Sequence, residues 1–408
     1  MECYNPAVTG IYSPTKFYIE TLGCQANEAD SVRMTHLLES LGLEPTKDFT
    51  KADMFIVNSC SVRQKSEDKV YGWARKINQL SKKPFVVLAG CMVGSVKGDR
   101  TRYSFKELED RTLWVDLYLS PEELFKLPRY LQEAGILPDP PGKAPSQESS
   151  PDASASKTSS LKDSPIFVDD KTGYVNISYG CDNFCTYCVV PYARGEEVSR
   201  SKDEILQEVK ILLDKGITHI TLCGQNVNSW GLSSEKKRQI RIGDDNKLPF
   251  AQLLREVHDL AGIEKLTFLS SNPFDFTKDL IEAIKLPKID DYLHIAVQSG
   301  NNDVLARMNR RHTIEEFLDL VTQIKKARPS VELGTDVIVG FPQETREQFM
   351  DTVNLFKQVK FNVAFIAMYS PRKGTAAEKM FEDDVPLKEK KWRHAYLTKV
   401  WRENKPSR

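Results

Sequence analysis

A chain of 408 residues is long enough for two or three domains with ample apolar cores. Its 57 basic residues match its 57 acidic ones, which excludes a uniformly basic nucleic-acid binder and confines any such partner to a local patch. No apolar run reaches membrane-spanning length, no signal-peptide core opens the chain, and eight cysteines without an export signal read as ligands or free thiols, so a soluble cytoplasmic protein is expected.

Strands are expected at residues 16–21, 54–58 and 85–89, with a further one at 113–118 leading into a helix from Pro121. Between the first two strands Met34, Leu37, Leu38 and Leu41 recur at helical spacing, and Asp30 is a candidate N-cap. Val70, Trp73, Ala74 and Ile77 mark the next helix. Such strand–helix–strand repeats imply a parallel, flavodoxin-like α/β sheet over residues 14–135. Residues 136–165 are rich in Pro, Ser, Ala, Asp and Lys, with almost no large apolar side chain to offset ordering entropy; a flexible linker is expected. From 166 to 403 the alternation occurs six times, with strands at 174–178, 219–223, 266–270, 293–298, 333–339 and 365–369. Helices are expected around Ile205–Leu213 and at 250–260, 278–286, 314–327 and 346–359. Six βα units predict a partial (β/α)6 barrel, with function at the carboxyl ends of its strands.

Cys181, Cys185 and Cys188 follow the first barrel strand in a Cys-x3-Cys-x2-Cys run. Three thiolates on one loop can hold three irons of a cubane cluster and leave the fourth iron open for a substrate or cofactor. The alternative is a zinc knuckle, but structural zinc wants four protein ligands and no fourth Cys or His lies close by. Cys24, Cys60 and Cys91 each lie just beyond an expected strand of the first sheet, one strand–helix–strand step apart. Loops after adjacent parallel strands open on one edge, so these thiols converge where α/β folds bind ligands. They are either three buried apolar thiols or a second three-ligand cluster. Cys3 and Cys223 lack partners in this pattern and are expected not to be ligands.

These cysteines sit in Gly23-Cys24-Gln25-Ala26-Asn27, Asn58-Ser59-Cys60-Ser61-Val62-Arg63, Gly90-Cys91 and Gly180-Cys181 through Cys188. Val190-Pro191-Tyr192-Ala193-Arg194-Gly195, Gly224-Gln225-Asn226-Val227-Asn228, Val297-Gln298-Ser299-Gly300 and Thr335-Asp336 through Pro342 follow. Together they resemble the radical S-adenosylmethionine (SAM) methylthiotransferase family, and Asn58 to Arg63 resembles its isopentenyl-adenosine branch. The resemblance covers nearly all of residues 16–403. It implies a radical SAM barrel and two 4Fe-4S clusters, one on Cys181, Cys185 and Cys188, the other on Cys24, Cys60 and Cys91. The first would bind S-adenosylmethionine and cleave it to a 5′-deoxyadenosyl radical; the second would deliver methylthio to carbon 2 of an isopentenylated adenosine beside the tRNA anticodon. Threonylcarbamoyl-adenosine in tRNA and a ribosomal protein are the family's other targets, and a non-catalytic iron–sulfur RNA-binding protein is an alternative of another class. The resemblance further implies an electron donor such as flavodoxin or ferredoxin, proteins supplying sulfur or clusters, and a monomer.

Gln225, Gln298, Ser299 and Asp336 end expected barrel strands, where polar groups can grip the cofactor; each is otherwise an ordinary strand-end residue. Arg307, Arg310 and Arg311 contact cofactor or tRNA phosphates, or else form a solvated basic face. The C-terminal Lys388, Lys390, Lys391, Arg393, Lys399 and Arg402, with Trp392, Tyr396 and Trp401 among them, mark either an RNA contact or a core-packing helix. Three positions depart from the family pattern: Asn272 where His is usual, Gln343 where Gly is usual and Lys373 where Pro is usual. Members of the family usually carry a C-terminal RNA-binding β-barrel, and no strand-rich segment for it precedes Arg408. Either the sequence is a fragment, or tRNA affinity rests on the barrel surface and the basic C-terminal helix.

Overall fold

The computed structural model describes residues 14–62, 64–138, 166–167 and 169–406. Cys3 and residues 139–165 of the expected linker lie outside them. The chain divides into two compact units: the first runs to Ile166 and includes Val189–Gly195, and the second comprises Phe167–Cys188 and Glu196–Arg408. Two expected boundaries are corrected. Ile136 does not begin a linker; it is buried in the first core, with its amide bonded to the Leu131 carbonyl. Val189–Gly195 belongs to the first unit, because the Ala193 backbone lies so close to Gly94 that a Cβ there would meet the Ala193 carbonyl.

In the first unit five parallel strands, β1 (Lys16–Thr21), β2 (Glu44–Pro45), β3 (Met54–Ser59), β4 (Phe85–Gly90) and β5 (Leu117–Leu119), lie in the order β2-β1-β3-β4-β5. All six residues of β3 and of β4 are buried, as expected of parallel strands covered on both faces. Ile56 and Val87 pack on one face with Met34, Leu38, Leu127 and Leu131; Phe55, Val57 and Leu88 pack on the other with Val70, Trp73 and Ile77. This order reverses between β1 and β3, and such switch points open a crevice outside the carboxyl ends of the strands. The fourth expected strand starts late. Residue 112 ends the helix Phe105–Arg111 and accepts from the Val115 amide, so a turn occupies 112–115 and pairing with β4 begins at Leu117. Asp30 is not an N-cap: the helix Gln25–Ser40 starts directly after Cys24, and Asp30 is buried within it.

The second unit holds β6 (Ile166–Phe167, of which Ile166 is the first unit's last residue), β7 (Thr172–Asn176), β8 (Ser178–Tyr179), β9 (Val198–Ser199), β10 (His219–Cys223) and β11 (Lys265–Phe268). It continues with β12 (Tyr292–His294), β13 (Glu332–Val339) and β14 (Val363–Met368). One sheet has the order β11-β10-β7-β6 and another β12-β13-β14, with single parallel bridges Leu266–Ile289 and Ser271–Ile295 between them. The result is a partial, unclosed barrel. Helices Lys202–Asp214, Pro249–His258, Ile314–Ala327 and Arg346–Val359 pack apolar faces on its outer side. One strand lies two residues earlier than expected and another is shorter. After Asn176 the chain turns into the antiparallel β8–β9 ribbon, and after His294 it breaks toward Gln298, which is left-handed at φ 72°. Among the described residues no helix is long and apolar enough to cross a membrane.

Candidate functional site

Cys24, Cys60 and Cys91 follow β1, β3 and β4 at the switch-point edge of the first sheet. Cys24 N-caps the helix Gln25–Ser40, its carbonyl accepting from the Asn27 and Glu28 amides, and Cys91 opens the short helix Cys91–Gly94. A buried polar layer underlies them. Asn27 donates from Nδ2 to Asn58 Oδ1 (3.1 Å) and to the Ser59 carbonyl (2.8 Å), which turns its Oδ1 toward Cys24 Sγ at 3.7 Å and Cys91 Sγ at 4.0 Å. Asn58 Nδ2 in turn donates to the Asn27 carbonyl and to Ser31 Oγ. Burial pushes the Cys91 thiol up to about 12; Arg194 pulls against that, while Cys60, Cys24 and Asp30 add to it. Cys60 and Cys24 thus lie near enough to act on the Cys91 thiol, and a metal cation would relieve its reluctance to ionise.

Gly90 makes this convergence possible. Its φ is +90°, and a Cβ would lie 2.5 Å from both Asn58 Oδ1 and the Ser59 carbonyl. Gly90→Ala is expected to cost more than about 3 kcal/mol, read from chemical denaturation, and to displace Cys91; a variant as stable as the parent would contradict this packing.

In the second unit the β8–β9 ribbon leads into the loop bearing Cys181, Cys185 and Cys188. Cys188 N bonds to the Cys185 carbonyl at 2.9 Å, Thr186 Oγ1 donates to the Arg307 carbonyl, and Asn309 Nδ2 donates to the Phe184 carbonyl at 3.0 Å. Burial drives the Cys181 thiol well above its ordinary range, and Cys188, Glu197 and Cys185 push it the same way. Among the described residues no group of three His, Cys, Asp or Glu side chains is gathered around a single-ion position.

Arg310 is the cation aimed at this loop. Buried, it donates to Cys185 Sγ (3.5 Å), Asn272 Oδ1 (2.6 Å) and the Ala296 carbonyl (2.6 Å). Asn272 is fixed from behind, its Nδ2 on Asn226 Oδ1 and its amide on Asn228 Oδ1. The sequence reading missed Asn226, Asn272 and Asn27 as site residues, although buried amides clustered in motif segments were the available signal. Arg311 is structural: it donates to the Lys237 carbonyl and Asp275 Oδ1 and lies over the Phe274 ring. Arg307 ties down the Gln343 carbonyl and Gln348.

Of the four strand-end candidates, Gln225 follows β10, and Gln298 and fully buried Ser299 follow the β12 break. Asp336 is corrected: it lies within β13, three residues before its end, where its carboxylate meets His294 Nε2 at 2.8 Å and His294 Nδ1 meets the Tyr292 hydroxyl at 3.0 Å. Gln343 is left-handed at φ 63°, which explains why the family pattern has Gly there and costs this chain about 1 kcal/mol. Lys373 is exposed. Cys223 is buried with its sulfur near the Thr221 carbonyl, outside both triads. The C-terminal helix Leu387–Asn404 is a core-packing element: Leu397 and Val400 are buried, Lys390 pairs with Asp383, and Arg393 pairs with Glu344 at 2.7 Å. Trp392, stacked on Tyr396, remains partly exposed.

A model described as Radical SAM superfamily matches residues 175–356, and one described as Uncharacterized protein family UPF0004 matches residues 16–113. Among solved structures, the radical S-adenosylmethionine methyltransferase TsrM from Kitasatospora setae superposes with a TM-score of 0.57 at 14% identity, over 90% of this chain and 74% of that one. The cobalamin-dependent S-adenosylmethionine radical enzyme OxsB gives 0.51 at 12% identity, over 97% and 57%. At such identities these two speak for the fold alone. The chain is a radical SAM enzyme, a class whose barrel implies one 4Fe-4S cluster and S-adenosylmethionine. A tRNA-2-methylthio-N(6)-dimethylallyladenosine synthase of Clostridium botulinum (strain Okra / Type B1) is 40% identical over 395 residues, 94% of this chain and 81% of the relative. Its counterpart in Clostridium tetani is 39% identical over 394 residues, 94% and 80%. The chain belongs to this MiaB family of radical SAM methylthiotransferases.

Proposed function

We propose that this enzyme adds a methylthio group to carbon 2 of N6-isopentenyladenosine next to the anticodon of tRNA. The observation that carries the reading is the convergence of Cys24, Cys60 and Cys91 at a switch point, in a chain that also has the radical SAM loop and is 40% identical to synthases of this name. Cys181, Cys185 and Cys188 would hold the first 4Fe-4S cluster, and Cys24, Cys60 and Cys91 a second. The first cluster, when bound, supplies an open iron for S-adenosylmethionine and the electron that cleaves it; the second supplies the site of sulfur donation.

This chain's own residues orient and shield. Arg310 steadies the Cys185 sulfur with a charge-assisted bond, and Asn272 and Asn226 hold the guanidinium in place. Gln225, Gln298 and Ser299 would offer polar groups to the cofactor's ribose and amino-carboxylate, and His294 holds the Asp336 carboxylate on the sheet face. Asn27, clamped by Asn58 and Ser59, keeps one oxygen toward the second triad. A tRNA adenosine in a loop is reached by stacking and phosphate contacts without melting a duplex. The electron would come from a flavodoxin or ferredoxin and the sulfur from cluster-supplying proteins, with the chain acting as a monomer in the cytoplasm.

Anaerobically reconstituted protein, given S-adenosylmethionine, a one-electron reductant and isopentenylated tRNA, is expected to yield methylthio-isopentenyladenosine on nucleoside mass spectrometry. Unchanged isopentenylated tRNA, with mass gained instead by threonylcarbamoyl-adenosine tRNA or a ribosomal protein, would reassign the substrate.

A further inference from the structure

A buried cation stands beside the second thiol triad, delivered by a segment distant in sequence from all three of its cysteines. Arg194 lies in Val189–Gly195, the short stretch that folds with the first unit. Its side chain, 7% exposed, donates to Asp30 Oδ2 at 2.8 Å and to Asn27 Oδ1 at 3.4 Å. That Asn27 oxygen is the atom turned toward Cys24 and Cys91. A buried guanidinium is tolerated only where anions balance it. The Asp30 carboxylate is shared with Arg33, whose Nη1 is 3.6 Å from Oδ1. Asp30 supplies the anion that balances Arg194, and Cys91 and Cys24 lie near enough to act on its charge as well.

We propose that Arg194 is a positioning residue for the second cluster, offsetting the thiolate charge and holding the Asn27 carboxamide in place, so that it sets the cluster's retention and reduction potential. This rests on the reading that Cys24, Cys60 and Cys91 hold a cluster. A fixed positive charge near a redox centre stabilises its reduced form, and in a buried site that effect is little screened. A residue that merely clamps Val189–Gly195 would affect folding and leave the potential alone.

The test uses the full chain, reconstituted anaerobically, with Arg194→Gln and Arg194→Lys each made in the parent and in a Cys181→Ala background that isolates the second triad. Iron and sulfide are counted, and the second cluster is titrated potentiometrically with paramagnetic resonance detection. Arg194→Gln is expected to shift its one-electron equilibrium at least tenfold toward the oxidised form, 59 mV downward, and Arg194→Lys to recover more than half of that shift. If Arg194→Gln holds no second cluster, iron retained by Arg194→Lys supports the charge role, and iron lost from both overturns it. A full iron content with an unmoved midpoint in Arg194→Gln also overturns it. Failure of the underlying reading looks different, because Cys181→Ala protein with native Arg194 would then itself bind no cluster.

Discussion

Cys181→Ala protein is expected to form no 5′-deoxyadenosine, a loss of more than about 10⁴-fold, when incubated with S-adenosylmethionine and a strong reductant. The three thiols of this loop are set by the β8–β9 ribbon and by bonds to Arg307 and Asn309. Removing Cys181 leaves two thiolates for three irons. The cluster should then be lost, and the protein should retain about half the iron and sulfide of the parent. Asn272 and Arg310 should stay paired, so the melting temperature should move little. Undiminished 5′-deoxyadenosine from Cys181→Ala would remove this loop from the chemistry.

Cys60→Ala is expected to separate the two halves of the reaction. Cys60 is buried just after β3, where a Cβ on Gly23 would lie 3.0 Å from both Cys60 Cβ and the Asn27 oxygen that faces Cys24 and Cys91. The variant should also lose about half its iron, yet still cleave S-adenosylmethionine within about tenfold of the parent rate, because the loop of the second unit is untouched. Methylthiolated tRNA should fall below detection. The opposite outcome, full iron and normal methylthiolation, would reduce Cys24, Cys60 and Cys91 to buried apolar thiols. The pair of variants thus has different signatures, both clusters' iron being affected alike but only one product being lost in common.

The alternating elements were legible from periodicity and turn chemistry. The helices Ile314–Ala327 and Arg346–Val359 and the strand His219–Cys223 stand at the bounds expected for them, because each helix has a regular apolar face and a threonine cap and the strand is a short, nearly fully buried apolar run. The helix Gln25–Ser40 shows where such reading stops. Its inner face is polar near the start, with Asn27, Asp30 and Ser31 buried, so the apolar spacing came in late and Asp30 passed for a cap. Its partner, Arg194, is 164 residues away, and no local rule signals that ion pair. The break of β12 at Gln298 was hidden likewise, since a left-handed glutamine is imposed by its surroundings and not by its own preference. The packing role of the C-terminal helix was also hidden, because the partners of Lys390 and Arg393, Asp383 and Glu344, meet them only in the fold.

What the residues determined alone is the placement of six thiols. Three lie within eight positions of one another, where spacing by itself keeps them on one loop, and three recur one βα step apart, where the regular advance of a parallel sheet brings them to one edge. The tertiary structure decided what surrounds them: the strand order that puts the crevice at β1 and β3, the Asn27–Asn58 layer, and the arginines Arg194 and Arg310 beside the sulfurs. The physical reason is that buried charge and buried amides are stable only through partners brought from far along the chain, and those partners exist only once the chain has folded.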